Sequence, residues 1–158
     1  MGFTIEDMNL MAKDRYHMEF IAGKRGWSNS ISWVLMMEDT AIIRNFAGKE
    51  LAVTTGLGFD TEEKLLGLVR KLVVCHASGL IINTGEYIHE LPQSLCNYCD
   101  ENDLPLMTVP WEVYLSEMIK DLSIRIFLQG TTDEEITRAL IHAIEEPDNQ
   151  ENYRKILL

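Results

Sequence analysis

Short apolar runs that end in polar residues recur along the chain and predict buried strands. In residues 50–56, Leu51 to Val53 are followed by two threonines and a glycine, and residues 80–83 are apolar up to Asn83. An apolar run without alternation is typical of a strand that is covered on both faces. Three more strands are predicted at residues 19–22, 31–37 and 104–109. The chain is therefore expected to fold around a sheet that lies inside the domain.

Apolar residues at helical spacing alternate with these runs. The clearest helix covers residues 61–77, where leucines recur three and four positions apart, and Asp60 with Glu63 is expected to cap its start. Other helices are predicted at residues 4–11, 92–102, 112–129 and 132–147. A strand, a helix and a further strand in succession form a βαβ unit with parallel strands. The predicted fold class is α/β, a mostly parallel sheet with flanking helices, followed by a C-terminal helical appendage.

The charge of the chain disfavours two kinds of partner. The 158 residues carry a formal net charge of −11, and the nearest approach to a basic cluster is Lys24-Arg25. Nucleic acid and anionic membranes bind to basic patches, so neither is expected as a direct partner of this chain. No apolar stretch approaches the roughly 20 residues that a membrane span needs. Three cysteines, an odd number, favour a reducing compartment, and the expected location is cytoplasmic.

The spacing of Cys96 and Cys99 matches a pattern used in zinc and redox sites. A structural zinc site needs a second pair of ligands at similar spacing, and the chain offers only isolated candidates such as Cys75. A redox pair would open a helix, whereas Cys96 and Cys99 fall inside a predicted one. We therefore expect cysteines that pack in the core, and no metal site.

The sequence shows no motif of an enzyme. Gly56-Leu-Gly58 follows a strand as in a dinucleotide-binding fingerprint, but Thr61 stands where the third glycine belongs. No phosphate-binding loop and no nucleophile elbow occurs, and the four histidines are scattered. The carboxylates of Glu38 and Asp39 fit acid-base chemistry less well than a solvated strand end. A non-enzymatic protein without a cofactor is expected, since no nucleophile, metal cluster or oriented base is visible.

The polar strand ends predict a ligand site. If the strands are parallel, their carboxyl ends lie along one edge of the sheet, where open α/β sheets bind ligands. The predicted ligand-binding residues are Glu38, Thr54, Thr55, Gly56, Asn83, Gly85 and Trp111. Their hydroxyl, amide, carboxylate and indole groups suit a small polar or planar ligand. Each of these residues, taken alone, is explained by a turn or a helix cap. The prediction therefore depends on the fact that all of them follow predicted strands and would meet at one edge of the sheet.

The end of the predicted helix 112–129 is apolar on almost every side. The apolar stripe that faces the core is extended around the helix by Ile124, Phe127 and Leu128. A helix that is apolar on every side has to be covered by other protein on every side. These three residues are the predicted interface with another subunit or domain. The alternative is that the helix after Gly130 covers them.

A set of motifs follows in a definite order along the chain, at residues 31–34, 48–56, 78–83, 85–88, 91–92 and 104–110, together with Glu38. In this order the motifs resemble the N-terminal domain of PucR-type purine-catabolism regulators, and the resemblance covers roughly residues 3–128. It implies a regulatory, effector-sensing domain that precedes a DNA-binding helix-turn-helix. Residues 1–129 would be this domain, and residues 130–158 a helical linker towards a C-terminal region absent from the chain. The final two leucines also suggest a fragment of a longer protein.

Two hypotheses follow for the function. In the first, the chain senses a small-molecule effector at the strand ends and controls an attached transcription regulator, which binds DNA through a region not in this chain. In the second, the chain is a protein–protein interaction module that forms a homo-oligomer through the end of the helix at residues 112–129, and it binds no small molecule. An enzyme acting on a purine-like substrate is a third possibility, and it is disfavoured because no nucleophile or metal cluster is visible. The sequence does not identify the effector, the oligomer or the order of the strands.

Overall fold

The computed structural model describes residues 2–129 and 134–145, which form an α/β fold around one five-stranded sheet. The strands are β1 (Glu19–Ala22), β2 (Trp33–Met36), β3 (Glu50–Thr54), β4 (Gly79–Thr84) and β5 (Leu106–Pro110). The α-helices are α1 (Ile5–Arg15), α2 (Glu62–Val74), α3 (Gln93–Glu101), α4 (Leu115–Gln129) and α5 (Glu134–Glu145). Short 3-10 helices cover Lys24–Gly26 and Ala41–Asn45. The predicted fold class is confirmed.

The sheet has the strand order β1-β5-β4-β3-β2. Strands β2 to β5 run parallel to one another, and β1 pairs antiparallel with β5 at the edge. The four parallel strands therefore end at the same edge of the sheet.

Helices cover both faces of the sheet. On one face α2 and α3 pack through residues such as Leu68 and Leu95, and on the other α1 and α4 pack through Met8 and Leu122. All five residues of β3 are buried. Unbroken apolar runs reflect this two-sided burial, because no strand face in the centre of the sheet meets water.

Several boundaries differ from those predicted by the sequence. Helix α2 is capped by Thr61, whose Oγ1 accepts a hydrogen bond from the Lys64 N–H at 3.2 Å. The predicted cap at Asp60 is wrong, since that carboxylate pairs with the Lys64 ammonium instead. Helix α4 begins at Leu115, because the residues just after β5 form a turn. The predicted start of the last helix at residue 132 and its end at residue 147 lie outside the described residues.

The cysteines lie in or beside the core. Cys99 is buried, and burial raises the pKa of its thiol to about 12. Cys75 and Cys96 are half-buried, and burial also raises the pKa of each. In residues 2–129 and 134–145, no cluster of three side chains is arranged to hold a metal ion. None of the helices in that part of the chain has the length and apolar character needed to cross a bilayer.

A buried carboxylate joins α1 to α4. Asp121, on α4, accepts hydrogen bonds from Arg15 Nη1 at 2.9 Å, Tyr16 OH at 2.6 Å and Arg125 Nε at 2.8 Å. Burial alone would raise the pKa of Asp121, but the hydrogen bonds from Tyr16 and Arg125 and the charges of both arginines outweigh it and lower the pKa. The sequence contains no short-range signal of this contact, which spans 106 positions between Arg15 and Asp121.

Candidate functional site

The carboxyl ends of β2 to β5 assemble the predicted edge. Thr54 lies opposite Ile82 on β4, and Asn83 lies opposite Val109 on β5. The loops after these strands carry Glu38, Thr55, Gly56, Gly85 and Trp111, and we call this set of strand ends and loops the strand-tip edge.

Glu38 fixes the loop after β3. Its carboxylate accepts hydrogen bonds from Thr54 Oγ1 at 2.9 Å, from the Thr55 N–H at 2.7 Å and from the Leu57 N–H at 3.0 Å. The hydroxyl of Thr55 also donates to it. Charge-assisted hydrogen bonds of this kind are stronger than neutral ones. The carboxylate therefore holds together two loops that are distant in sequence.

The turn that follows β3 depends on Thr54 and Gly56. Thr54 is fully buried, and its hydroxyl accepts a hydrogen bond from the Gly56 N–H at 3.0 Å. Gly56 has a φ of +88°, and a Cβ at this position would lie 2.4 Å from Cδ1 of Ile88. Glycine suits both conditions, because it tolerates positive φ and has no Cβ. Both residues are buried, so they support the strand-tip edge without being part of its exposed surface.

Asn83 ties the end of β4 to the end of β5. Its side chain is buried, and Nδ2 donates to the carbonyl oxygens of Val109 at 3.3 Å and Pro110 at 2.9 Å. Gly85 has a φ of +128°, and a Cβ there would lie 2.9 Å from Cβ of Trp111. The missing side chain at Gly85 lets Trp111 pack close to the loop.

Two aromatic rings lie exposed at the strand-tip edge. Trp111 and Tyr87 meet edge to face, with ring centroids 5.9 Å apart and an interplanar angle of 84°. Trp111 is 41% exposed and Tyr87 is 40% exposed. Tyr87 was not among the residues predicted from sequence, although its position two residues after Gly85 is a signal that could have identified it. The edge thus combines an aromatic surface with a polar network beneath it.

The predicted interface residues lie at the end of α4 and differ in exposure. Leu128 is buried, Ile124 is half-buried and Phe127 is 61% exposed. An apolar cavity of about 350 Å³ is lined by these residues together with Trp33, Ser123, Leu140 and Ile144. Helix α5 thus lines the cavity beside the end of α4, while Phe127 remains largely open to solvent.

Substituting Glu38 by glutamine is expected to lower the free energy of unfolding by about 1–2 kcal/mol, because charge-assisted hydrogen bonds are lost and an amide N–H₂ replaces one acceptor. Urea denaturation of both proteins measures the difference. Glu86→Gln, an exposed change at the same edge, is the control and should unfold with wild-type stability. Equal stability of Glu38→Gln and wild type would contradict the assigned structural role.

The described geometry defines an open α/β domain whose parallel strands end in one polar and aromatic edge. The chain belongs to the purine catabolism regulatory protein-like family, PucR, whose family model matches residues 9–126. It is also similar to the purine catabolism regulatory protein of Bacillus subtilis strain 168, with 28% identity over 100 residues. That match covers 63% of this chain and 19% of the relative, so the chain spans about a fifth of the length of that protein.

Proposed function

We propose that this chain is the regulatory domain of a cytoplasmic transcription regulator linked to purine catabolism. The family match over residues 9–126 is the observation that supports this function most strongly, and the name of the Bacillus subtilis relative points to the same process. In this proposal residues 1–129 are the regulatory domain, and residues 130–158 lead to a helix-turn-helix outside the chain. The net charge of −11 supports DNA contacts made by that other region. The role is regulatory rather than enzymatic.

We further propose that a small effector binds at the strand-tip edge. The side chains of Glu38, Thr54 and Asn83 make hydrogen bonds inside the protein, so their role is to hold the edge in shape. Direct contacts would come from the exposed rings of Trp111 and Tyr87. Aromatic rings bind planar ligands through their faces and edges, which suits a purine or a related heterocycle.

The route from this site to the rest of the regulator would be helix α4. Trp111 lies four positions before Leu115, the first residue of α4. Movement of the indole on binding would therefore act on the start of that helix. An effector can shift the docking of α4 only if it binds more tightly to one of two arrangements. Helix α4 in turn leads to the segment that would connect the DNA-binding region.

Thermal unfolding in the presence of urate, allantoin or hypoxanthine tests the proposal. A ligand present at 100 times its Kd is expected to stabilise the chain by about 2.7 kcal/mol. Trp111→Ala should abolish this stabilisation, while Tyr114→Ala, which removes a ring that is 74% exposed just before α4, should retain it. If none of the three compounds stabilises the folded wild type, purine sensing by this domain is rejected.

An alternative function is dimerisation without a small-molecule ligand. The observation that favours it is the apolar cavity at the end of α4, beside which Phe127 and Trp33 are 61% and 45% exposed. The proposed occupant is a second copy of the chain, since a homo-oligomer would bring two such surfaces together. Light scattering on Phe127→Asp should then show a halved mass. Leu10→Asp changes a leucine on α1 that is 67% exposed, slightly more than Phe127, and should leave the mass unchanged.

A further inference from the structure

Three loops at the strand-tip edge expose an unusual share of apolar side chains. They follow β3, β4 and β5 and cover residues 55–61, 85–92 and 111–114, and we call their exposed side chains the loop surface. Eleven large apolar side chains are exposed across the described residues, and four of them belong to the loop surface: Leu57, Tyr87, Trp111 and Tyr114. Single exposed apolar residues are normal, whereas a cluster of them is typical of a surface that binds another protein. Tyrosine and tryptophan are also enriched among the residues that dominate binding energy at such surfaces.

The three loops are neighbours, so their exposed side chains form one surface. Strands β3, β4 and β5 lie next to one another in the sheet. The rings of Tyr87 and Trp111 are in contact, which joins the loop after β4 to the loop after β5. Gly56 lies so close to the Ile88 side chain that a Cβ would clash with it, which joins the loop after β3 to the loop after β4. The loop surface is therefore continuous from the end of β3 to the end of β5.

Hydrogen bonds hold the loops after β3 and β4 in shape. The Leu57 N–H donates to the carboxylate of Glu38 at 3.0 Å, and the Gly85 N–H donates to the Ile88 carbonyl at 2.8 Å. A surface that is already ordered loses less conformational entropy when a partner binds. These loops thus present their apolar side chains in a preformed arrangement.

The loop surface is also negatively charged. Its three loops contain four carboxylates and neither lysine nor arginine. The carboxylates of Glu86, Glu90 and Glu112 are exposed, and none of them has an ion-pair partner among residues 2–129 and 134–145. Glu86 comes directly before Tyr87, and Glu112 comes directly after Trp111. Unpaired carboxylates therefore flank the two aromatic rings.

We propose that the loop surface docks a basic segment of a protein in which arginines accompany apolar side chains. A guanidinium group pairs with carboxylates and also stacks on aromatic rings, so arginine matches both parts of the surface. Opposite charges guide two such surfaces into register and disfavour partners of the wrong sign. Nucleic acid and anionic lipid are repelled by the same carboxylates, which leaves a basic protein segment as the occupant.

The inference goes beyond the proposed function and rests on it for one consequence only. Tyr87 and Trp111 are the rings that would contact the effector, so the effector and the basic segment would compete for them. Effector binding would then release the docked segment. The docking itself does not require that a small molecule binds.

A synthetic peptide is the probe for this docking. It is labelled with fluorescein and has about 16 residues, with arginine and leucine on one face of a helix. Fluorescence anisotropy measures its Kd for the whole chain, and NMR of the ¹⁵N-labelled chain should show saturable shifts at the amides of residues 55–61, 86–90 and 111–114. Control peptides with alanine for every leucine, or glutamate for every arginine, should bind at least about tenfold more weakly, a difference of about 1.4 kcal/mol.

Variants of one aromatic ring test the apolar part of the surface. Tyr87→Ala should weaken binding of the peptide by about tenfold. Tyr87→Phe keeps the ring and should bind as wild type. Val74→Ala is the matched control, because Val74 is 78% exposed at the end of α2 and lies outside the three loops, and it should also bind as wild type.

Two double variants test the charged part of the surface. Glu86→Gln with Glu112→Gln should weaken binding of the peptide by about tenfold and make it less sensitive to salt, because both carboxylates flank the rings. Glu6→Gln with Glu101→Gln removes the same charge at exposed positions outside the loops and should bind as wild type. An equal loss in both double variants would show that the peptide responds only to the net charge of −11, and it would overturn the proposal.

Failure of the docking is distinguishable from failure of the effector site. Tyr114→Ala should weaken binding of the peptide, although it should leave stabilisation by an effector intact. Wild-type affinity in Tyr87→Ala, or saturable shifts confined to residues outside the three loops, would overturn the docking. Stabilisation by urate, allantoin or hypoxanthine that is lost in Trp111→Ala would still support the effector site in that case. A chain that binds the peptide as expected, and that none of the three compounds stabilises, would support the docking and reject purine sensing.

Discussion

Replacing Gly58 by alanine is expected to destabilise the chain by about 3–5 kcal/mol, because the close approach of two loops leaves no room for a side chain. A Cβ built at Gly58 would lie 1.6 Å from the carbonyl oxygen of Glu38, which is well inside any allowed contact. The obstacle is backbone rather than a flexible side chain. One of the two loops therefore has to move, and the hydrogen bond from the Leu57 N–H to Glu38 is the first to be lost.

Gly67→Ala is the matched control for this experiment. Gly67 lies inside α2, and a Cβ there meets no atom within 4 Å. Alanine is the better helix former, so this change should stabilise the chain by about 0.5–1 kcal/mol. Urea denaturation of the two variants should thus give shifts of opposite sign. A Gly58→Ala protein that unfolds at the wild-type midpoint would show that the two loops are not in contact.

The sequence predicts the sheet well because burial on two faces leaves a simple pattern. The unbroken apolar run in β3 and the polar tip at Thr54 to Gly56 located a central strand and the edge where it ends. The direction of β1 was not predictable in the same way. Strand β1 is only four residues long, and it pairs with β5, which is the last strand along the chain. This pairing depends on tertiary packing rather than on a local pattern.

The candidate site was predicted as a location but not as a set of interactions. The strand ends do assemble at one edge, since parallel strands bring their carboxyl ends together. The partners of Glu38 lie 16 to 19 positions away, and loop conformation decides whether a carboxylate faces solvent or the protein. The ligand-binding role of these residues remains a prediction. Their hydrogen bonds within the protein suggest that they support the exposed rings.

Substituting Asp121 by asparagine is expected to lower the free energy of unfolding by about 2–4 kcal/mol at neutral pH. The carboxylate is 10% exposed and accepts hydrogen bonds from Tyr16 and two arginines, and an asparagine cannot balance their charges. Arg15 and Arg125 are 52% and 36% exposed and can turn towards water, which keeps the loss below that of a fully buried pair. Asp14→Asn, at an exposed aspartate near the end of α1, is the control and should unfold as wild type.

The contribution of Asp121 to the free energy of unfolding should also decrease as the pH falls. Folding lowers the pKa of this carboxyl below its ordinary value of 3.8. Its stabilising contribution is therefore complete above pH 3.8 and is lost as the pH falls through the folded-state pKa, where the native carboxylate becomes protonated. Unfolding free energies of wild type and Asp121→Asn, measured from pH 7 downwards, should differ by a constant amount at neutral pH and converge in acid. A difference that stays constant down to pH 2 would show that the charge of Asp121 makes no contribution, and that only the shape of its side chain matters.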